Sequence, residues 1–153
     1  MHKILINLIQ RTRKLLIRLW RQEGTPAKRA RGVAIGVFSG CFPLFGFQTL
    51  IGVFLAGLFK GNLLLAATGT WVSNPFTYIP LYWFNFKVGE LFLGKGRNID
   101  AINELSIHQL FDQGWFFSSR LLLGSSVVGL LLGLIAGMMF YILFRRISVM
   151  KNN

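Results

Sequence analysis

Three stretches of this chain carry no charged residue: Gly32–Phe59 (28 residues), Gly61–Phe86 (26) and Leu121–Phe144 (24). About 20 apolar residues suffice to cross a bilayer. Only 14% of the residues are charged, where soluble domains hold about a quarter. These runs point away from a soluble fold and predict an all-α, multi-pass membrane protein.

Two of the runs are interrupted. Gly32–Phe42 meets Pro43 and Gly46, and Leu63–Ser73 meets Asn74-Pro75 with Pro80 beyond. Proline removes a backbone donor and clashes with the preceding turn. Eleven helical residues rise only about 16 Å, so both breaks are predicted at mid-depth. At an offset of 32, Pro43 pairs with Pro75, Phe54 with Phe86 and Gly57 with Gly89. Matched interruptions of this kind are the sequence pointer to a midplane site built from broken helices. The candidate ligand-binding groups are Gln48 and Thr49 after the first break, and Ser73, Asn74 and Thr77 around the second. Two readings stay open at this point. Either these groups cap the breaks and bond one another, or they form a pocket for a phosphate-bearing or other small polar group, helped by the positive ends of half-helices.

Charge sets the predicted topology. The chain has a net charge of +12, and Met1–Arg31 holds nine Lys/Arg against one acid, Glu23. Arg145, Arg146 and Lys151 follow the last run, whereas Lys87–Arg120 balances four bases with four acids. By the positive-inside bias both ends are cytoplasmic, which requires an even number of crossings. One broken run therefore enters and leaves on the same face. Either run fits this requirement; Lys60, in the turn between the two, leans toward the first. Nucleic acid is not a predicted partner, because these charges flank spans.

The predicted parts are an interfacial helix over 1–24, a membrane domain over 25–94, an extramembrane connection over 95–120 and a C-terminal span with basic tail over 121–153. The first helix has apolar residues at helical spacing, with Arg11, Arg13, Lys14, Arg18 and Arg21 on its polar side. It suits a surface of anionic lipid, or a partner protein. Lys28, Arg29 and Arg31 continue the basic belt after Thr25-Pro26, an N-cap and first-turn pair. Small residues recur at every fourth position in Gly32, Gly36 and Gly40, and again in Gly129, Gly133 and Gly137. Such stripes let helices approach closely, within one chain, in a homo-oligomer or against another protein.

No catalytic group is predicted. His2 and His108 lie outside the runs, no acid lies within them, and Cys41 stands alone. No metal-ligand spacing or cofactor signature occurs. The expected function is a small transporter or lipid- and anion-handling protein with a midplane polar site; the alternative is a non-catalytic scaffold or assembly factor.

From Thr25 to about Gly94 the chain resembles the uncharacterised bacterial membrane family known as domain of unknown function 2062. The resemblance is carried by Thr25-Pro26, Ala34–Phe38, Pro43 with Gly46–Thr49, Asn62, Gly69–Thr77, Pro80, Tyr82 and Gly89. Its most specific piece is Trp71-Val72-Ser73-Asn74-Pro75-Phe76-Thr77. The resemblance implies a multi-pass protein of the bacterial inner membrane and no established activity.

Overall fold

The computed structural model describes residues 24–94 and 107–152. The expected interfacial helix, with Arg11, Arg13, Lys14, Arg18 and Arg21, lies outside them. Among the described residues every regular element is helical: α1 (Pro26–Gly40), α2 (Phe47–Leu58), α3 (Leu63–Gly69, continued by a 3-10 turn over Thr70–Val72), α4 (Tyr78–Leu93) and α5 (Ile107–Asn152).

Local chemistry explains most boundaries. Thr25 caps α1, its hydroxyl accepting from the Lys28 N–H at 3.2 Å, and Pro26 opens the first turn. Pro43 excludes a helical conformation from the residue before it, so α1 ends at Gly40. Its last turn tightens through bonds from the Cys41 N–H to the Phe38 carbonyl and from the Phe42 N–H to the Ser39 carbonyl. The chain reverses at Gly46, whose φ of +82° suits glycine. At the far end of α2, Lys60 takes the left-handed conformation (φ +52°). The Gly61 N–H reaches the Ala56 carbonyl at 2.7 Å and the Lys60 N–H reaches Gly57, a Schellman closure. Asn62 then caps α3, accepting from the Leu65 N–H at 2.9 Å. Pro80 does not break the chain as expected. It sits in the first turn of α4, where the missing N–H would lack a helical partner anyway.

The two interrupted runs take different paths. α1 and α2 form an antiparallel hairpin: the Arg31 guanidinium donates to the Phe59 carbonyl at 3.1 Å and the Asn62 N–H to the Lys28 carbonyl at 3.0 Å. α3 then runs parallel to α1, with Gly32 against Asn62, Gly36 against Ala66 and Gly40 against Thr70. α4 continues onward rather than back. Its Tyr82 and Asn85 meet the end of α1, and Gly89 lies against the backbone of Arg120. α5 runs antiparallel to both. Gly137, Gly133 and Gly129 face α1 from Ala30 to Cys41, and Gly124 faces Asn85 in α4. Thus α1 and α4 occupy successive lengths of α5. The sequence offset of 32 gives matched breaks but not a matched path.

α5 starts at Ile107, so the expected boundary between a connection over 95–120 and a span from 121 does not fall at a helix end. No proline lies between Ile107 and Asn152 to stop it. Arg120, one of the four bases of the charge-balanced 87–120 stretch, is 9% exposed. It donates to the carbonyls of Gly94 (3.0 Å), Phe116 (3.1 Å) and Leu93 (3.2 Å), and its guanidinium stacks on the Phe116 ring. A cation at the negative end of α4 is favourable, and this one pins that end to α5.

The interior is built of small residues with a polar cluster among them, and a few larger apolar side chains, Leu121, Val128 and Phe144, are buried too. The largest fully buried side chains are Asn85, Thr70, Cys41, Ser39 and Ser125. Large apolar groups point outward, including Trp71, Phe76, Leu91 and most of α2 from Phe47 to Phe59. This inverts the usual soluble arrangement.

The backbone contacts give opposite expectations for one substitution. A methyl at Gly36 meets the backbone of Ala66, whereas at Gly57 it meets only the Leu63 side chain at 3.8 Å. Gly36→Ala should cost about 1–3 kcal/mol by forcing α1 and α3 apart. Gly57→Ala should gain about 0.5–1 kcal/mol from helix propensity. Thermal unfolding of the two purified variants, followed by circular dichroism, checks both signs.

Candidate functional site

Because α1 and α3 run in register, the two breaks lie side by side. Each is finished by its own chemistry. In the second, the Asn74 side-chain oxygen accepts from the N–H groups of Phe76 (2.9 Å) and Thr77 (3.3 Å). The Asn74 carbonyl accepts from the Thr77 and Tyr78 N–H groups, both at 2.9 Å. The Thr77 hydroxyl accepts from the Asn74 N–H at 2.9 Å and donates to the Val72 carbonyl at 2.7 Å. The Ser73 N–H reaches Thr70. Pro75 has no N–H, so every backbone donor from Ser73 to Tyr78 is in use. No free amide remains there to cradle an anion.

Two bonds join the breaks. The Ser73 hydroxyl donates to the Gln48 side-chain oxygen at 3.2 Å. The Thr49 and Thr70 hydroxyls lie 3.0 Å apart. Thr70 gives its proton to the Ala67 carbonyl at 2.7 Å, so Thr49 is the donor to Thr70. The five predicted ligand groups are therefore at one level but divide into two sets. Gln48, Thr49 and Ser73 link the hairpin to α3, while Asn74 and Thr77 close their own turn. Asn74 and Gln48 do not bond each other.

A third set ties the end of α1 to α4 and α5. The Asn85 amide nitrogen donates to the Cys41 carbonyl at 2.9 Å and to the Ser125 hydroxyl at 3.0 Å. The Tyr82 hydroxyl donates to the Phe42 carbonyl at 3.2 Å. Phe45 sits edge-on to Tyr78 and Tyr82, each 5.8 Å away. The sequence reading did not single out Asn85 or Thr70. The signal available for Asn85 was a carboxamide among aromatic residues near the end of the second charge-free run, where a buried amide demands partners. Two buried oxygens at this level have none: the Ser39 hydroxyl and the Asn85 side-chain carbonyl.

The predicted packing glycines do not meet each other. Gly32, Gly36 and Gly40 face α3, and Gly129, Gly133 and Gly137 face another side of α1. Lys28, Arg29 and Arg31 lie at the α1 start, with the Arg29 guanidinium 5.7 Å from the Phe144 ring. At the opposite end, Lys87 pairs with Glu90 at 2.7 Å. Among the described residues no three His, Cys, Asp or Glu side chains gather as metal ligands.

The Thr77 hydroxyl accepts from the Asn74 N–H and donates to the Val72 carbonyl, which makes it the sharpest probe of this arrangement. Thr77→Val keeps the shape and removes the hydroxyl, and should cost about 1–3 kcal/mol. Thr77→Ser keeps the oxygen and should retain most of the stability. Parallel thermal unfolding of the two variants checks this.

A profile described as "uncharacterized protein conserved in bacteria (DUF2062)" matches residues 9–152. That span reaches well beyond Thr25–Gly94 and takes in α5. No curated protein matches the chain, and no solved structure does. The chain belongs to the DUF2062 family.

Proposed function

We propose that this member of the DUF2062 family is a small multi-pass protein of the bacterial inner membrane that works by holding lipid and protein neighbours against its helix faces, not by passing cargo between its breaks. In this reading α1 and α2 are a re-entrant hairpin, α3 and α4 are one interrupted crossing, and α5 is the return crossing. The observation that carries it is the mutual satisfaction of the polar groups at the breaks. Irregular backbone at membrane depth has to find its partners within protein, and here Asn74, Thr77, Ser73 and Gln48 supply them to one another. Two grooves on the surface include no break residue.

Other features support the setting. Gly114–Met150 is apolar and, at 37 residues, long enough to cross a bilayer. Large apolar side chains facing outward around an interior of mostly small residues suit helices packed in lipid. Lys28, Arg31, Lys60, Arg145 and Arg146 gather at the end where α1 begins, which supports a cytoplasmic assignment of that end by the positive-inside bias. One observation favours a second reading, a carrier for a small polar or anionic group: Ser39 and Asn85 each hold a buried oxygen without a partner.

Cysteine labelling separates the two. In a Cys41→Ala background, single cysteines at Thr49, Ser73 and Thr77 should resist a membrane-impermeant maleimide from both faces, while one at Lys60 should react from the cytoplasmic side. Reaction at all three break positions would establish a wet path and favour the carrier.

A further inference from the structure

Between α1, α2 and α5 lies an apolar groove of about 360 Å³, lined by Ala34, Phe38, Leu55, Phe59, Gly133 and Leu134 among others. It lies where α5 presents glycines to α1. The α1 side of the groove follows one helical stripe, Ala34, Ile35 and Phe38, and Arg31 is the next position on that stripe toward the basic end. Leu134, Met138, Tyr141 and Arg145 likewise follow one face of α5 at spacings of three and four. Lys60 follows Phe59, a groove-lining residue, in the turn after α2. The groove therefore has Arg31, bonded to Phe59, and Lys60 next to its basic end, and Arg145, which lines a second groove with Tyr141, lies further along the same face of α5.

These cations have no acidic neighbour among the described residues, whose single ion pair is Lys87–Glu90 at the far end. Arg31 is held in place without being consumed. Its Nε donates to the Ala27 carbonyl at 3.3 Å and its Nη1 to Phe59 at 3.1 Å, and neither bond uses Nη2. The Phe59 carbonyl that fixes the guanidinium belongs to a residue lining the groove. An apolar groove with an oriented guanidinium next to one end complements one kind of molecule: an acyl chain bearing an anionic phosphate.

We propose that this groove is a specific site for an anionic glycerophospholipid, one acyl chain lying along Phe38, Leu55 and Leu134 and the phosphate held by Arg31, Arg145 and Lys60. A phosphate between two guanidinium groups takes charge-assisted, geometrically directed hydrogen bonds that a zwitterionic lipid offers with less net charge. The site deepens the membrane-binding reading above and rests on it.

Native mass spectrometry of the full chain released from a neutral detergent tests the site. The probes are phosphatidylglycerol and phosphatidylcholine of equal chain length, and free glycerol phosphate. Wild type should retain phosphatidylglycerol about thirtyfold better than phosphatidylcholine, the ratio given by two well-placed cations. Arg31→Gln combined with Arg145→Gln should bring the ratio near one. Lys87→Gln, at the other end, should leave it unchanged. Leu130, at the groove edge and 55% exposed, can be enlarged without disturbing the helix contacts, so Leu130→Trp should lose both lipids. Glycerol phosphate should not be retained. Equal retention of the two lipids by wild type overturns the proposal, as does a preference that survives the double variant. Retention of glycerol phosphate would mean an ion site without a chain groove, and a change of oligomeric mass in Leu130→Trp would mean that a second copy occupies the groove. Loss of lipid preference with the break cysteines still protected removes this site alone, whereas labelled breaks remove the parent reading.

Discussion

Everything in this fold is arranged around the close approach of α1 to its neighbours. Gly32, Gly36 and Gly40 bring its backbone against α3, and Gly61 returns the end of α2 to Gly32. On another side Gly129, Gly133 and Gly137 bring α5 down onto Ala30, Ala34 and Phe38. Contact at this distance depends on dispersion between backbones and leaves no room for a larger side chain. It also fixes register. Once Gly36 lies at Ala66 and Gly40 at Thr70, the two breaks must stand level, and the hydroxyls of Thr49 and Thr70 must meet.

The breaks then become structural elements rather than gaps. The Asn74 and Thr77 side chains replace the helical partners that Pro75 denies to the chain. Asn85 and Tyr82 take up the carbonyls of Cys41 and Phe42, just past α1, so the end of one helix becomes the seat of another. An unpaired buried amide or carbonyl costs about 1–3 kcal/mol, and this network avoids several such costs within a few residues. The two oxygens left over, on Ser39 and Asn85, are correspondingly conspicuous.

Much of this was legible in the residues. Pro43 and Asn74-Pro75 mark the breaks, Thr25-Pro26 opens α1, and Lys60-Gly61-Asn62 forms the turn between the runs, because these are local effects that need no knowledge of neighbours. The partners were not legible. That Gln48 reaches Ser73 rather than Asn74, or that Asn85 reaches Cys41, depends on how α1, α3 and α4 are set against one another. Pro80 misled because the same residue that stops a helix from inside can begin one, and only the capping geometry distinguishes them. Arg120 read as a flanking charge because the three carbonyls that hold it come from two separate helices. The matched offset of 32 disclosed the level of the breaks and not the path, since one run turns back at Gly46 and the other goes on through Thr77.

That difference of path is the centre of the account, and in the membrane setting proposed above the side reached by Lys60 and Gly94 tests it most directly. Compartment-sensitive reporters inserted in the full chain after Lys60, after Gly94 and at the C-terminus should read cytoplasm, outside and cytoplasm. A reporter after Lys60 that reads outside would contradict the account, because the first broken run would then be a crossing and the hairpin of α1 and α2 would not exist in the membrane.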